Sequence, residues 1–423
     1  MSRPAGNTQL KAARQAAGFT SQQALADAMT GAALDLGLHG FQVSVRQVRR
    51  WESASPPWPQ ADHQRLLSHV LRLPIKDLGF RAPWDSKPAG DVRTAPEGVH
   101  VVTALAASLP RPTSSAVLRP PSTGTDYAAI TTAHRRLYWT VQPAQLHQAI
   151  VEHANLGTKL LAETSGNARR VLAAALAESL LLAARIEFFD LRQADQADTT
   201  LIRALQAAGE ADDALLGAAV LAHAAFVPGW AGRKDEAEER MVAARTYARR
   251  GPASAEFLAW LNAVEAECLT RCGDYRGALR LLARAEEALA ADGEHSSPSW
   301  MDWFSPARLA AFKGNTQLKA GHLSQARATL RQVLADLPPD MGKQRAVVLA
   351  DLAAVEATDQ NLEQACKLAG EALDQLAATW YATGMERIRD LRRSLAPWQD
   401  MAAVRALDDR LYGWGTTLSA LQR

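Results

Sequence analysis

Five alanines recur along the C-terminal two-thirds of this chain. They are Ala197, Ala237, Ala278, Ala326 and Ala365, at intervals of 40, 41, 48 and 39 residues. Each follows a short turn: Arg192-Gln193-Ala194, Gly232-Arg233-Lys234, Gly273-Asp274-Tyr275, Gly321-His322-Leu323 and Asn361-Leu362. A fixed period of this length marks stacked units, none of which buries its apolar face alone. Alanine has a steric reason to recur, because the side chains at a helix–helix contact set how closely the axes approach. The segments between turns are rich in alanine and leucine and lack strand-like alternation. The chain is therefore expected to be all-α, with a solenoid of five or six helical hairpins over residues 126–423.

The clearest unit runs Trp260…Ala266…Leu269…Gly273-Asp274-Tyr275…Ala278…Leu282…Ala285. Looser copies contain Ala225…Ala244, Gly314…Pro338 and Ala353…Ala372, and the unit around Arg192 to Ala204 is the weakest. The pattern resembles the tetratricopeptide repeat (TPR). Asp126 to Glu163 and Met385 to Leu421 are expected as capping helices, with Arg387 to Arg393 on a solvated face. Such a stack implies a concave groove for a peptide or small ligand. Its candidate contacts are Trp230, Trp300, Trp303, Phe304 and Tyr381. The segment Trp300 to Phe304 follows a Gly/Ser/Pro-rich break and needs something to cover its apolar area.

Residues 1–80 have a different pattern. Asn7 is placed to cap a first helix carrying Leu10, Ala13, Arg14 and Ala17, ended by Gly18. Thr20 or Ser21 caps a second, with Ala24, Leu25, Ala28 and Met29 at helical spacing. Ser44 caps a third, in which Val45, Val48 and Trp51 form an inward stripe and Arg46, Gln47, Arg49 and Arg50 face out. Arginine fits the O6/N7 edge of guanine, and glutamine fits adenine in the same bidentate manner. Leu66 to Leu73 and Pro74 to Phe80 are expected to supply a fourth and a fifth core helix, with Trp51 and Trp58 as packing.

These elements, Gln22-Gln23-Ala24-Leu25-Ala26 and Val48-Arg49-Arg50-Trp51-Glu52 above all, resemble the phage-repressor-like (XRE) helix-turn-helix family over roughly residues 7–80. The resemblance implies that Gln22 or Gln23 touches phosphate while Ser44, Arg46, Gln47 and Arg49 approach bases, with Arg50 on the same face. One departure is the stretch Thr30 to Gln42, where the family has a tight turn. It is either a wing against the DNA backbone or a surface excursion.

Charge divides the same way. Residues 1–80 hold nine Lys/Arg against five Asp/Glu, residues 81–125 five against three, and the remainder 33 against 37. A surplus this small gives one head modest affinity for phosphates, which favours a homodimer on paired half-sites. Residues 81–125 contain seven of the twenty prolines and read as a linker. Only Val99 to Leu109 is apolar enough there to order.

Cys268, Cys272 and Cys366 suit small buried positions in a reducing cytoplasm. The start of the chain lacks the apolar region of a signal peptide, and no apolar run is long enough to span a membrane. Phosphate loops, metal-binding His-Glu-x-x-His and nucleophile elbows are absent. The ten histidines show no ligand spacing. The expected protein is a non-enzymatic, cofactor-free transcription regulator that binds operator DNA as a dimer and senses a ligand through its body. The actinobacterial regulators it resembles have this layout. The alternative is a TPR-like interaction scaffold with a vestigial head.

Overall fold

The structure is a computed structural model. It describes residues 6–80 apart from 37, 39–40, 54–55, 57–58 and 60, then residue 120, and then 122–421 apart from 292. Trp58, Val99 to Leu109 and nearly all of the expected linker lie outside the described residues. The chain divides into two compact units, residues 1–102 and 103–423. The described residues contain no strand, so the fold is all-α.

The described residues of the first unit form four α-helices, α1 (Thr8–Ala16), α2 (Gln22–Ala32), α3 (Val45–Trp51) and α4 (Ala61–Leu71). Side-chain caps set the first three starts: Asn7 accepts from the Leu10 amide, Ser21 from Ala24 and Ser44 from Gln47. The segment expected as a fifth helix is a single 3₁₀ turn at Ile75–Leu78. Gly79, with φ of 73°, ends it before an α-helical turn can form. Leu10, Leu25, Met29, Val48, Trp51, Leu66, Leu67 and Leu78 form the core, each fully buried.

The second unit opens with α5 (Thr123–Leu137), which starts three residues before the expected boundary, and α6 (Pro143–Ala162). Five hairpins follow. Their helices are α7 (Gly166–Arg185) with α8 (Ala194–Ala211), α9 (Ala214–Trp230) with α10 (Lys234–Ala248), and α11 (Ala255–Arg271) with α12 (Tyr275–Ala290). The last two pair α13 (Pro306–Lys319) with α14 (Leu323–Asp336) and α15 (Gly342–Thr358) with α16 (Leu362–Ala378). A π-helical turn, Ile186–Asp190, extends α7, and α17 (Ala382–Ser394) and α18 (Ala402–Leu421) close the unit.

Every hairpin turns through the same device. One residue in the left-handed region stands after the first helix: Arg192, Gly232, Gly273, Gly321 and Gln360, with φ of 60, 73, 84, 80 and 62°. The next amide reaches back to a carbonyl near the end of that helix, as in Asp274 to Leu269 and Asn361 to Glu356, at 2.9 and 2.8 Å. The five marker alanines are at most 1 % exposed. At Gly314 the approach is closer still, since a Cβ there would lie 2.5 Å from the Leu330 side chain.

The array curls until its last helices meet its first hairpin. The Lys343 ammonium donates to Asp190 at 2.8 Å, Trp380 Nε1 donates to the Asp190 carbonyl at 3.2 Å and Thr383 donates to the Phe189 carbonyl at 3.2 Å.

Turn chemistry predicts opposite signs for two substitutions. Gly273→Ala should cost about 1 kcal/mol of stability, because a Cβ is disfavoured in the left-handed region. Gln360→Gly should gain up to about 1 kcal/mol by relieving the same strain. Denaturant unfolding of the two variants checks both.

Candidate functional site

In the first unit α3 is fixed from behind. Val45 is half-buried. The Trp51 ring meets those of His63 and Phe80 edge-on, with centroids 5.1 and 6.5 Å away. Glu52, just past the end of α3, accepts Arg14 Nε at 2.6 Å and Gln22 Nε2 at 2.7 Å. Arg14 also donates to the Phe19 carbonyl at 2.7 Å. One carboxylate thus joins α1, α2 and α3, and the Arg14 and Glu52 side chains are only 5 % and 7 % exposed. Sequence reading included Arg14 and Glu52 in the motif but gave neither a role.

The front of α3 is free. Arg46, Arg49 and Arg50 are exposed and form no ion pair among the described residues, and Gln47 is half-buried. Three of the residues expected to contact DNA also have local duties. The Ser44 hydroxyl caps α3, the Gln22 amide is held by Glu52, and Gln23 donates to Asp27 at 2.8 Å. The Thr30 to Gln42 stretch is anchored at both ends. The Thr30 hydroxyl donates to the Ala26 carbonyl at 2.9 Å and accepts the Val43 amide at 3.0 Å. Leu36, Leu38 and Phe41 pack on the core, while Leu34 stays 65 % exposed.

The inner face of the second unit is not the open aromatic groove expected of it. Trp300, Trp303, Phe304 and Tyr381 are all at least nine-tenths buried. Trp300 stacks on Trp303 with centroids 5.6 Å apart and meets Phe257 edge-on at 6.2 Å. The apolar area of Trp300 to Phe304 is therefore covered by its own repeats. Trp303, Phe304 and Tyr381 border a hollow of about 40 Å³, shared with Tyr138, His223 and Lys343. Trp230 and Tyr381 border a second of about 40 Å³. Each holds a few waters at most, so neither admits a peptide. Cations sit on these rings: Lys343 Nζ lies 3.6 Å from the Tyr138 centroid, and the guanidinium of Arg271 lies 4.1 Å from that of Trp230.

Beside the aromatics runs an ionic network. Arg387 pairs with Asp351 and donates to Asn315 Oδ1 at 2.7 Å, and it lies 3.6 Å from Glu267. Arg271 donates to Glu267 at 3.3 Å and lies 3.7 Å from Glu386, which also pairs with Arg192. Arg387 therefore faces inward, against the expectation of a solvated face. Its partners are remote in sequence, so the helical pattern of α17 could not reveal them. Arg389 and Arg393 are exposed as expected. Cys268 and Cys366 are buried and Cys272 is half-buried. No group of His, Cys, Asp or Glu among the described residues could hold a metal ion, and no helix there is long and apolar enough to cross a membrane.

Several buried groups titrate away from their usual range. Burial, helped by the nearby Arg185 charge, lowers His223 to about 3. Burial and the neighbouring His134 lower His153 to about 4. Burial raises Glu178 to about 7 despite Arg135 beside it, with Asp213 and Asp302 adding to the rise.

No family model matches the chain, and no curated protein does. Among solved structures, the crystal structure of BtubC (BKLC) from P. vanneervenii is similar at 16 % identity with a TM-score of 0.39. The match covers 56 % of this chain and 92 % of that one. A likeness of that degree carries no argument about function.

Two outcomes are expected. Glu52→Ala leaves Arg14 buried without its carboxylate, a loss of about 3–5 kcal/mol. Hydrogen exchange should then accelerate across residues 8–51 and remain unchanged across 123–421. His223 is neutral in the folded state down to about pH 3, whereas the unfolded chain protonates it below about 6.5. Stability from this group is full above pH 6.5 and is lost as pH falls toward 3. Glu178 has the opposite sign between its unfolded value and about 7. Denaturant unfolding at pH 7 and pH 5 should give a His223→Leu variant that loses about 2 kcal/mol less than the parent over that interval.

Proposed function

We propose that the chain is a sequence-specific DNA-binding transcription regulator. Its first unit reads the major groove, and its TPR-like array supplies ligand sensing and dimerisation. One observation carries this reading: α3 is immobilised by a buried back and a shared carboxylate, while Arg46, Arg49 and Arg50 stand exposed and unpaired on its front. A helix held this rigidly has paid most of the ordering cost before it meets DNA. Base-edge contacts fall to Arg46, Gln47 and Arg49, and Arg50 is assigned to phosphate.

The duties of Ser44, Gln22 and Gln23 modify the expected contact set. Ser44 orients α3, and Gln22 orients Glu52. Gln23 and the α2 amides remain for phosphate. In this reading the exposed Leu34 is one described part of the Thr30 to Gln42 stretch that meets the DNA backbone. Regulation through the array requires a ligand that binds two arrangements of the dimer with different affinity.

Binding of the full chain to fragments selected from its source genome tests the reading. Arg46→Ala and Arg49→Ala should each weaken a specific site by about 1–3 kcal/mol, measured by fluorescence anisotropy. Arg50→Ala should weaken all sequences alike and reduce the salt slope by about 1. A chain that retards no fragment at any salt concentration, or whose binding ignores Arg46 and Arg49, acts instead as an interaction scaffold.

A further inference from the structure

The ionic network also borders a larger cavity, of about 460 Å³. That volume is in the range of small-molecule sites. Its walls come from α11, α13, α15 and α17, with Tyr275 from the start of α12. None of the aromatic residues expected to bind a ligand lines it.

The charges on this wall are unequal in their commitments. Asp351 is matched by Arg387 and Asp390 by Arg393, while Arg271 is held by Glu267 and Glu386. Lys319, at the end of α13, is exposed and forms no ion pair among the described residues. Arg387 Nε is buried with no hydrogen-bond partner, an omission that ordinarily costs free energy. The Tyr275 hydroxyl makes no hydrogen bond among the described residues either. The groups open to the cavity are thus the Lys319 ammonium, whose charge is felt by Asp351 without an ion pair, and the Tyr275 hydroxyl, against carboxylates that are already paired. Leu318, Ala350, Ala354 and Leu391 provide an apolar side to the same cavity.

We propose that this cavity binds an amphipathic organic anion. Its acid group meets Lys319 and the Tyr275 hydroxyl, and its hydrocarbon or aromatic body lies against Ala350, Ala354 and Leu391. Regulation by this ligand rests on the reading of the array as a sensor, but its binding does not depend on DNA recognition.

Titration of the full chain with anilinonaphthalene sulfonate, an anionic dye that fluoresces when sheltered from water, tests the site. One saturable site is expected. Octanoate should displace the dye at least about tenfold more effectively than octanol or octylamine. Lys319→Glu should weaken dye and octanoate about tenfold, Lys319→Arg should retain both, and Ala354→Trp should fill the cavity and abolish binding. The proposal is overturned if there is no saturable site, if octylamine competes as well as octanoate, or if affinity is unchanged in Lys319→Glu and Ala354→Trp. DNA binding by the ligand-free variants, measured in parallel, should match the parent. Loss of the dye site alone therefore leaves the DNA reading untouched, and loss of DNA binding in the parent alone leaves the cavity untouched.

Discussion

The buried pair of Asp190 and Lys343 joins the last hairpin of the helical array to its first. Its members are 153 residues apart in sequence. Burial raises the affinity of Asp190 for its proton and lowers that of Lys343, and each opposes that effect on the other, with Tyr138 and Arg185 also favouring the Asp190 carboxylate. The Tyr138 hydroxyl donates to the second Asp190 oxygen at 3.0 Å, and its ring lies under the ammonium. Removing one member of such a pair strands the other, whereas the intact pair contributes little net stability. What it supplies is position. It holds α15 against the end of α7, beside the aromatic hollow that Lys343 lines.

The first unit uses the same principle on a smaller scale. Glu52 accepts from two helices at once and thereby sets the angle at which α3 leaves the core. The three arginines in front are left without acids, so their charge is available to phosphate or guanine. The two units thus treat arginine in opposite ways. Arg192, Arg271 and Arg387 are consumed by carboxylates inside the array, and Arg46, Arg49 and Arg50 are kept free.

Local features were legible in the sequence. The caps Asn7, Ser21 and Ser44, the buried stripe of α3 and the five alanines all depend on residues within a few positions of one another. Glycine announces a left-handed turn, so three of the five turns were plain. Arg192 and Gln360 adopt the same conformation without announcing it, which is why the unit at Arg192 looked weakest. Misreadings arose where the partner lies far along the chain. Arg387 follows the polar period of its helix, yet its ligands Asp351 and Glu267 belong to other hairpins. Trp300 to Phe304 sits in a loop, where exposed apolar area is the ordinary inference, but edge-on contacts of Trp300 with Phe257 and of Trp303 with Trp260 cover it. The cavity beside Lys319 had no local signal at all, because residues of five helices assemble it.

The proposal that α3 reads a DNA sequence can be tested by repeated selection of bound fragments from a random duplex pool by the full chain, followed by sequencing. One motif with two related half-sites a helical turn, or a multiple of one, apart should be enriched. Enrichment should collapse when Arg46 and Arg49 are both alanine. A pool that stays random, or a motif that persists in the double variant, would contradict it.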